Sequence, residues 1–395
     1  MKKLYLDYAA TTPTDPRVVD EMLPYFTENF GNPSSVHSFG QEANRAIEKA
    51  RAGIAGLIGA TPDEIVFVSG GTEANNTALK GIARTKHDKG NHIITSSVEH
   101  HSVSETAAAL KKEGFRITFL PVDEYGMVDP ADVKKALDEK TILISVMHAN
   151  NEIGTIQPIA EIGKIARERG ITFHTDAVQT FGHIPVNVDE LGVDLLSTSS
   201  HKFYGPRGAG FLYVRKGIKL ASLLSGGDQE RRRRAGTHNT PGIVGTAAAA
   251  RIAHESMAEA SVREIALRDR LIREITGTIE DASLNGHPTT RLPNNTNISF
   301  HFIEGESILL SLDMEGIAAS TGSACTSSTL EPSHVLLAIG LSHEIAHGSI
   351  RFSLGRWTTD EHIERVIEVL PGIVSRLRMM SPLYTQRTNH GILQR

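Results

Sequence analysis

Cysteine is almost missing from this sequence: 395 residues contain one, Cys325. A single thiol excludes an internal disulfide framework and is compatible with a reducing compartment. Long apolar runs are missing as well. No stretch approaches the roughly 18 uninterrupted apolar residues of a membrane helix. The apolar run behind the two lysines of MKKLYLDYAATTP is far too short for a signal peptide core. A cytoplasmic protein with no membrane contact is therefore expected. Strong charge is absent too, because a net charge of −5 offers no general attraction to nucleic acid. One local exception, ERRRRAGT with Arg231 to Arg234 in a row, reads either as a solvated loop or as a phosphate or partner contact. The histidines lack ligand spacing with cysteines or carboxylates, so no metal site is expected. Neither a dinucleotide-binding G-x-G-x-x-G after the first strand nor a P-loop is present.

Apolar residues at 39% and charged residues at 22% fit a globular chain and exclude a largely disordered one. The length is more than one core usually fills, so two domains are expected. From about residue 60 to 215, short β-rich runs such as EIVFVSGG, NHIITSS, TILISVMHAN, ITFHTDA and VDLLSTSSHK alternate with helical segments. That alternation predicts an α/β fold with a mostly parallel sheet covered on both faces. A long helical stretch follows near residue 260, then a smaller α+β part. The expected division is 15–260 for a large domain, with 1–14 and 261–395 forming a small domain that carries Cys325.

What stands after each apolar run is more informative. IVFVS is followed by GGTEANN, HIITSS by VEHHS, and LISVM by HANNEIG. ITFHT is followed by DAVQT, and DLLSTS by SHKFYG. In open α/β sheets ligands bind beyond the carboxyl ends of the strands, so these five polar clusters should converge on one site. Gly70, Gly71 and Thr72 read as a phosphate cradle at a helix N-terminus or as an ordinary capped turn. Asp176 is costly at a strand end unless paired. It either caps the next helix or holds a cationic ring nitrogen, with Gln179 one turn on. Lys202, beside hydroxyls and a histidine, suits a lowered pKa and Schiff-base chemistry. His100 is a bland histidine or a partner of a bound ring. Cradle, acidic partner and lysine together are the parts needed to hold pyridoxal 5′-phosphate.

With these residues in hand, the sequence resembles NifS/IscS-type cysteine desulfurases, of the class V aminotransferase group and pyridoxal-phosphate fold type I. The motifs that carry the likeness are YLDYAATTP, SGGTEANN, EHHSV, NNEIGTIQP, HTDAVQ, SSHKFYGPRG, GSACTS and EPSHVL. The resemblance implies a homodimer of large and small domains. It makes Lys202 the lysine that binds the cofactor, Asp176 the pyridinium partner and His100 the stacking ring. Gln179 matches the hydrogen-bonder of the phenolic oxygen, and Asn151 a contact to cofactor and substrate. Gly71, Thr72, Ser199 and His201 fall on phosphate positions, and Thr237 on one that reaches the neighbouring subunit's phosphate. Arg351, assisted by Asn32, resembles the receptor of the substrate carboxylate. Cys325 is implied as the nucleophile that takes sulfur from L-cysteine as a persulfide, releases L-alanine and passes the sulfur to an acceptor such as an iron–sulfur scaffold protein. Selenocysteine lyase and ordinary transaminase are the alternatives. One departure stands out: Arg232 and Ala235 occupy positions where the family commonly has glycine and serine.

Overall fold

A computed structural model describes residues 3–321 and 331–384. The chain starts with a two-residue strand, β1 (Leu4–Tyr5), and then forms seven strands of one sheet. These are β2 (Ile65–Val68), β3 (His92–Ser96), β4 (Arg116–Leu120), β5 (Thr141–Ser145), β6 (Thr172–Asp176), β7 (Leu195–Ser197) and β8 (Gly210–Val214). Their order is β2-β8-β7-β6-β5-β3-β4. The pairs from β7 through β6, β5 and β3 to β4 are parallel, and only β8 runs against its neighbours. The expected mostly parallel sheet is therefore present.

Apart from the edge strand β4, its strands are buried along their whole length because both faces are covered. Successive side chains point to opposite faces, so Ile144, Leu196 and Phe211 enter one core while their neighbours Leu143, Leu195 and Leu212 enter another. A second sheet comprises β9 (Ala282–Asn285), β10 (Asn295–Phe300) and, after the short β11 (Ile317–Ala318), β12 (Ser349–Ser353). Ile298, Phe300, Ile350 and Phe352 build a separate core beneath it. The 39-residue helix Thr240–Thr278 serves two cores. Its first half gives Ile243, Ala249 and Ile252 to the large-sheet core, and its second half gives Leu267, Leu271 and Ile275 to the small one. At 1.5 Å per residue it runs about 58 Å.

Each arginine of the run finds a partner within its own chain. Arg231 pairs with Asp63 at 2.5 Å, Arg232 with Asp228 at 3.0 Å and Arg234 with Glu73 at 2.9 Å, while Arg233 donates to the Asp63 carbonyl at 2.6 Å. Three consecutive residues, Glu230, Arg231 and Arg232, have φ of 46°, 55° and 67°. Left-handed backbone is costly for residues with a Cβ. Arg232 thus stands in a conformation that glycine adopts freely.

The buried Glu230 anchors this turn. It accepts from both terminal nitrogens of Arg51 at 2.8 Å, from the Phe67 N–H at 2.8 Å and from His238 Nε2 at 2.9 Å. Burial raises its pKa, but the donors, Arg51 first, outweigh it and bring the carboxyl down from 4.5 to about 2. A depressed carboxylate contributes stability above the unfolded value and loses it as pH falls through the folded one. The shift corresponds to about 3 kcal/mol, lost between pH 4.5 and 2. Glu230→Gln is expected to cost about 3 kcal/mol at pH 7, because Arg51 is left buried and uncompensated. It should also flatten the acid limb. Urea unfolding at pH 7 and pH 3 measures both, and an unchanged pH 7 stability would refute the anchor.

Candidate active site

The polar clusters at the ends of β2, β3, β5, β6 and β7 converge. A cavity of about 520 Å³ is lined by Gly70, Gly71, Thr72, His100, Asn151, Asp176, Gln179, Ser199, His201 and Lys202, together with Arg351. All but Arg351 come from strand ends or the turns that follow them. Arg351 arrives from β12 in the small sheet. Asn32 and Thr237 do not line this cavity; both are exposed. Cys325 lies outside the described residues. Among those residues, no cluster of His, Cys, Asp or Glu could hold a metal ion, and no helix is long and apolar enough to cross a membrane.

One end of the cavity is built for an anion. The helix Gly71–Lys86 starts there after Gly70, whose φ is 148°. Unpaired N–H groups and the helix dipole favour a phosphate at such a start. A Cβ at Gly71 would come within 2.8 Å of Val178 Cγ2, and one at Gly70 within 3.2 Å of Ser199 Oγ. Both glycines therefore keep this approach narrow but open. His201, beside it, is pushed down to about 4, chiefly by burial and then by Lys202 and Arg207. It stands there as a neutral ring, with Nδ1 at 3.1 Å from Thr11 Oγ1.

At the other end Asp176 closes β6. Its Oδ2 accepts from Asn75 Nδ2 at 2.6 Å and its Oδ1 from the Val178 N–H at 2.9 Å. Neither donor is a cation, and a carboxylate has about four acceptor sites, so Asp176 can still receive a protonated ring nitrogen. Lys202 Nζ donates to the carbonyls of Ala9 and Ala10 at 2.5 and 2.8 Å. Gln179 Nε2 donates to the same Ala9 carbonyl at 3.1 Å. His183 Nε2 donates to the Lys202 carbonyl at 3.0 Å and steadies the lysine from behind. Arg351 donates to Asp7 Oδ1 at 2.8 Å and to the Asn151 carbonyl at 2.9 Å. An anion cradle, a carboxylate and an amine in one cavity fit pyridoxal 5′-phosphate.

Several wall residues carry no signal in the sequence. Ala9 and Ala10 act through backbone carbonyls. Asn75 and Ser102 stand inside helices, where polar residues are common. Glu99, next to His100, is fully buried, and burial above all pushes its carboxyl up to about 8. Its Oε1 accepts from Ser96 Oγ at 2.6 Å and from the Met147 N–H at 2.9 Å, tying the turn after β3 to the one after β5.

Known proteins share this fold. The family model Aminotransferase class-V matches residues 4–366. "Cysteine desulfurase IscS" of Dictyoglomus turgidum is 59% identical over 96% of this chain and 97% of its own. A solved NifS-like protein superposes with a TM-score of 0.90 at 40% identity, covering 95% of this chain and all of its own. A structure described as SspA in complex with cysteine superposes with a TM-score of 0.80 at 39% identity, over 90% of this chain and all of its own. Fold, cavity and relatives agree, and the chain belongs to the class-V aminotransferase family of pyridoxal-phosphate enzymes, in its NifS/IscS-type cysteine desulfurase group.

Proposed function

We propose that this enzyme takes the sulfur of L-cysteine onto Cys325 as a persulfide, releases L-alanine and hands the sulfur to an acceptor such as an iron–sulfur scaffold protein. The observation that carries the reading is the convergence of five strand-end clusters, with Lys202 and Asp176, on a cavity that also receives Arg351. Pyridoxal 5′-phosphate, when bound, supplies an electron sink for charge developing at the substrate Cα. Gly71, Thr72, Ser199 and His201 hold its phosphate, Asp176 its ring nitrogen and Gln179 its phenolic oxygen, while His100 covers the ring. Lys202 moves the Cα proton. Arg351 receives the substrate carboxylate, its plane held by Asp7 and the Asn151 carbonyl. The Cys325 thiolate attacks the substrate sulfur, so an S–S bond forms as the C–S bond breaks, and protons delivered to carbon complete alanine.

A homodimer is part of the reading. Leu23, Phe26, Phe30 and Phe39 are each more than half exposed and flank Asn32. Apolar side chains grouped this way favour a covering partner, and a second copy would bring Thr237 to the phosphate end. We assign 15–260 to the cofactor-binding domain and 1–14 with 261–395 to the small one, and place the enzyme in the cytoplasm.

Incubating the holoenzyme with L-cysteine tests the chemistry. Alanine should appear in step with sulfur released, and the Cys325 peptide should gain the mass of one sulfur atom. Alanine formation with no added mass on that peptide would sink the assignment of Cys325.

A further inference from the structure

The geometry points to Asn75 and Ser102 as positioning residues that hold His100 as a neutral ring carrying its proton on Nε2. The argument starts at Asp176. Its carboxylate only accepts hydrogen bonds, and Oδ2 lies 2.6 Å from an atom of the Asn75 amide. That atom must be the nitrogen, since the flipped amide would set its oxygen against the carboxylate. Asn75 Nδ2 has a second hydrogen, which goes to Ser102 Oγ at 2.8 Å. The Ser102 hydroxyl therefore accepts from Asn75, and its own hydrogen is left for His100 Nδ1 at 2.8 Å. The Ser102 backbone N–H donates to the same Nδ1 at 3.1 Å. Two donors aimed at Nδ1 require a bare nitrogen there, and a neutral imidazole with bare Nδ1 carries its proton on Nε2.

Asn75 is fully buried and Ser102 nearly so, which leaves no water to rescue a mismatched donor. An amide does not pass protons along, so the chain from Asp176 to His100 orients the ring and relays nothing. The groups facing His100 mostly favour the same state. Asp176 favours the charged ring, but burial opposes it most strongly, and Lys202, His101 and His334 add to that opposition. His100 thus meets whatever occupies the cavity as an N–H donor from Nε2. The carboxylate that faces the cofactor ring also sets, two residues away, the tautomer of the histidine beside it. The bearing on turnover rests on the desulfurase reading above, whereas the tautomer itself does not.

The test is nitrogen-detected histidine NMR on ¹⁵N-histidine-labelled holoenzyme without substrate, with the His100 signals assigned by their loss in His100→Gln. In the unmodified enzyme at pH 8 Nδ1 should appear unprotonated and Nε2 protonated, and the ring should take up its second proton at a lower pH than a free imidazole does. Ser102→Ala removes one donor to Nδ1, and the midpoint for protonating His100 should rise by about one pH unit. Ser102→Thr, which keeps the hydroxyl, should restore it. A proton on Nδ1 in the unmodified enzyme overturns the proposal, even if neither Ser102 variant folds. A midpoint unmoved in Ser102→Ala overturns it too. An enzyme with the expected tautomer that fails to make alanine counts against the desulfurase reading alone.

Discussion

Lys202→Ala is expected to abolish turnover, with a loss of at least about a thousandfold. Lys202 is the one lysine among the described residues that line the cavity. The other cations there, Arg207 and Arg351, do not lose a proton at working pH and cannot serve as bases. An amine that takes and returns the Cα proton contributes about 10²- to 10⁴-fold as a general base alone, and the covalent link to the cofactor that we propose for it would be lost at the same time. The fold should tolerate the change. Lys202 Nζ contacts the Ala9 and Ala10 carbonyls, while the backbone around it is held by His183 and by Thr12, whose N–H and hydroxyl both donate to the His201 carbonyl. Purified Lys202→Ala should therefore unfold near the parent temperature, lack the absorption of the lysine-linked cofactor and release the cofactor on dialysis. A variant that kept turnover within tenfold of the parent would remove Lys202 from the chemistry.

Much of this was legible in the sequence because the sheet is covered on both faces. A strand such as LISVM is apolar to its end, and the switch to HANN marks where the sheet stops and a ligand edge begins. Asp176 stood out for the same reason, as a carboxylate closing an apolar run. The antiparallel β8 was not legible, since GFLYV has the same texture as its parallel neighbours. Nor were the Ala9 and Ala10 acceptors, because a backbone carbonyl leaves no mark on residue type. Asn75 is a harder case. In TEANN two asparagines stand side by side, and Asn76 is half-buried and donates to the Thr72 carbonyl of its own helix while Asn75 holds Asp176. Helical phase alone separates them, and phase matters only once the neighbouring helix and strand are placed. The arginine run shows the limit from the other side. Its composition left both a solvated loop and a phosphate or partner contact open, and each arginine is occupied by a carboxylate or carbonyl of its own chain.

Cys325→Ser should leave cofactor absorption and L-cysteine binding intact while sulfide and alanine formation fall below detection. The separation follows from where the other residues stand. Cofactor contacts are assigned to the ends of β2, β3, β5, β6 and β7, and the carboxylate contact to Arg351 on β12, and Cys325→Ser changes none of these side chains. The chemical difference is large. A thiolate is a strong nucleophile that forms near neutral pH, whereas a serine hydroxyl would need a dedicated base, and attack by oxygen on sulfur does not yield a persulfide. With one cysteine in 395 residues there is no second thiol to take over. The same scarcity fixes the fate of the product. No internal thiol can resolve the Cys325 persulfide, so turnover beyond one sulfur per chain requires an external thiol or acceptor. L-Cysteine is itself a thiol and can resolve the persulfide slowly, so without added reductant the parent enzyme should make about one alanine per chain in a burst and then continue at a much lower rate. Adding dithiothreitol should raise that second rate, and Cys325→Ser should show no burst under either condition. A steady rate with no burst, unchanged by dithiothreitol, would mean that sulfur leaves the substrate by a route that bypasses Cys325.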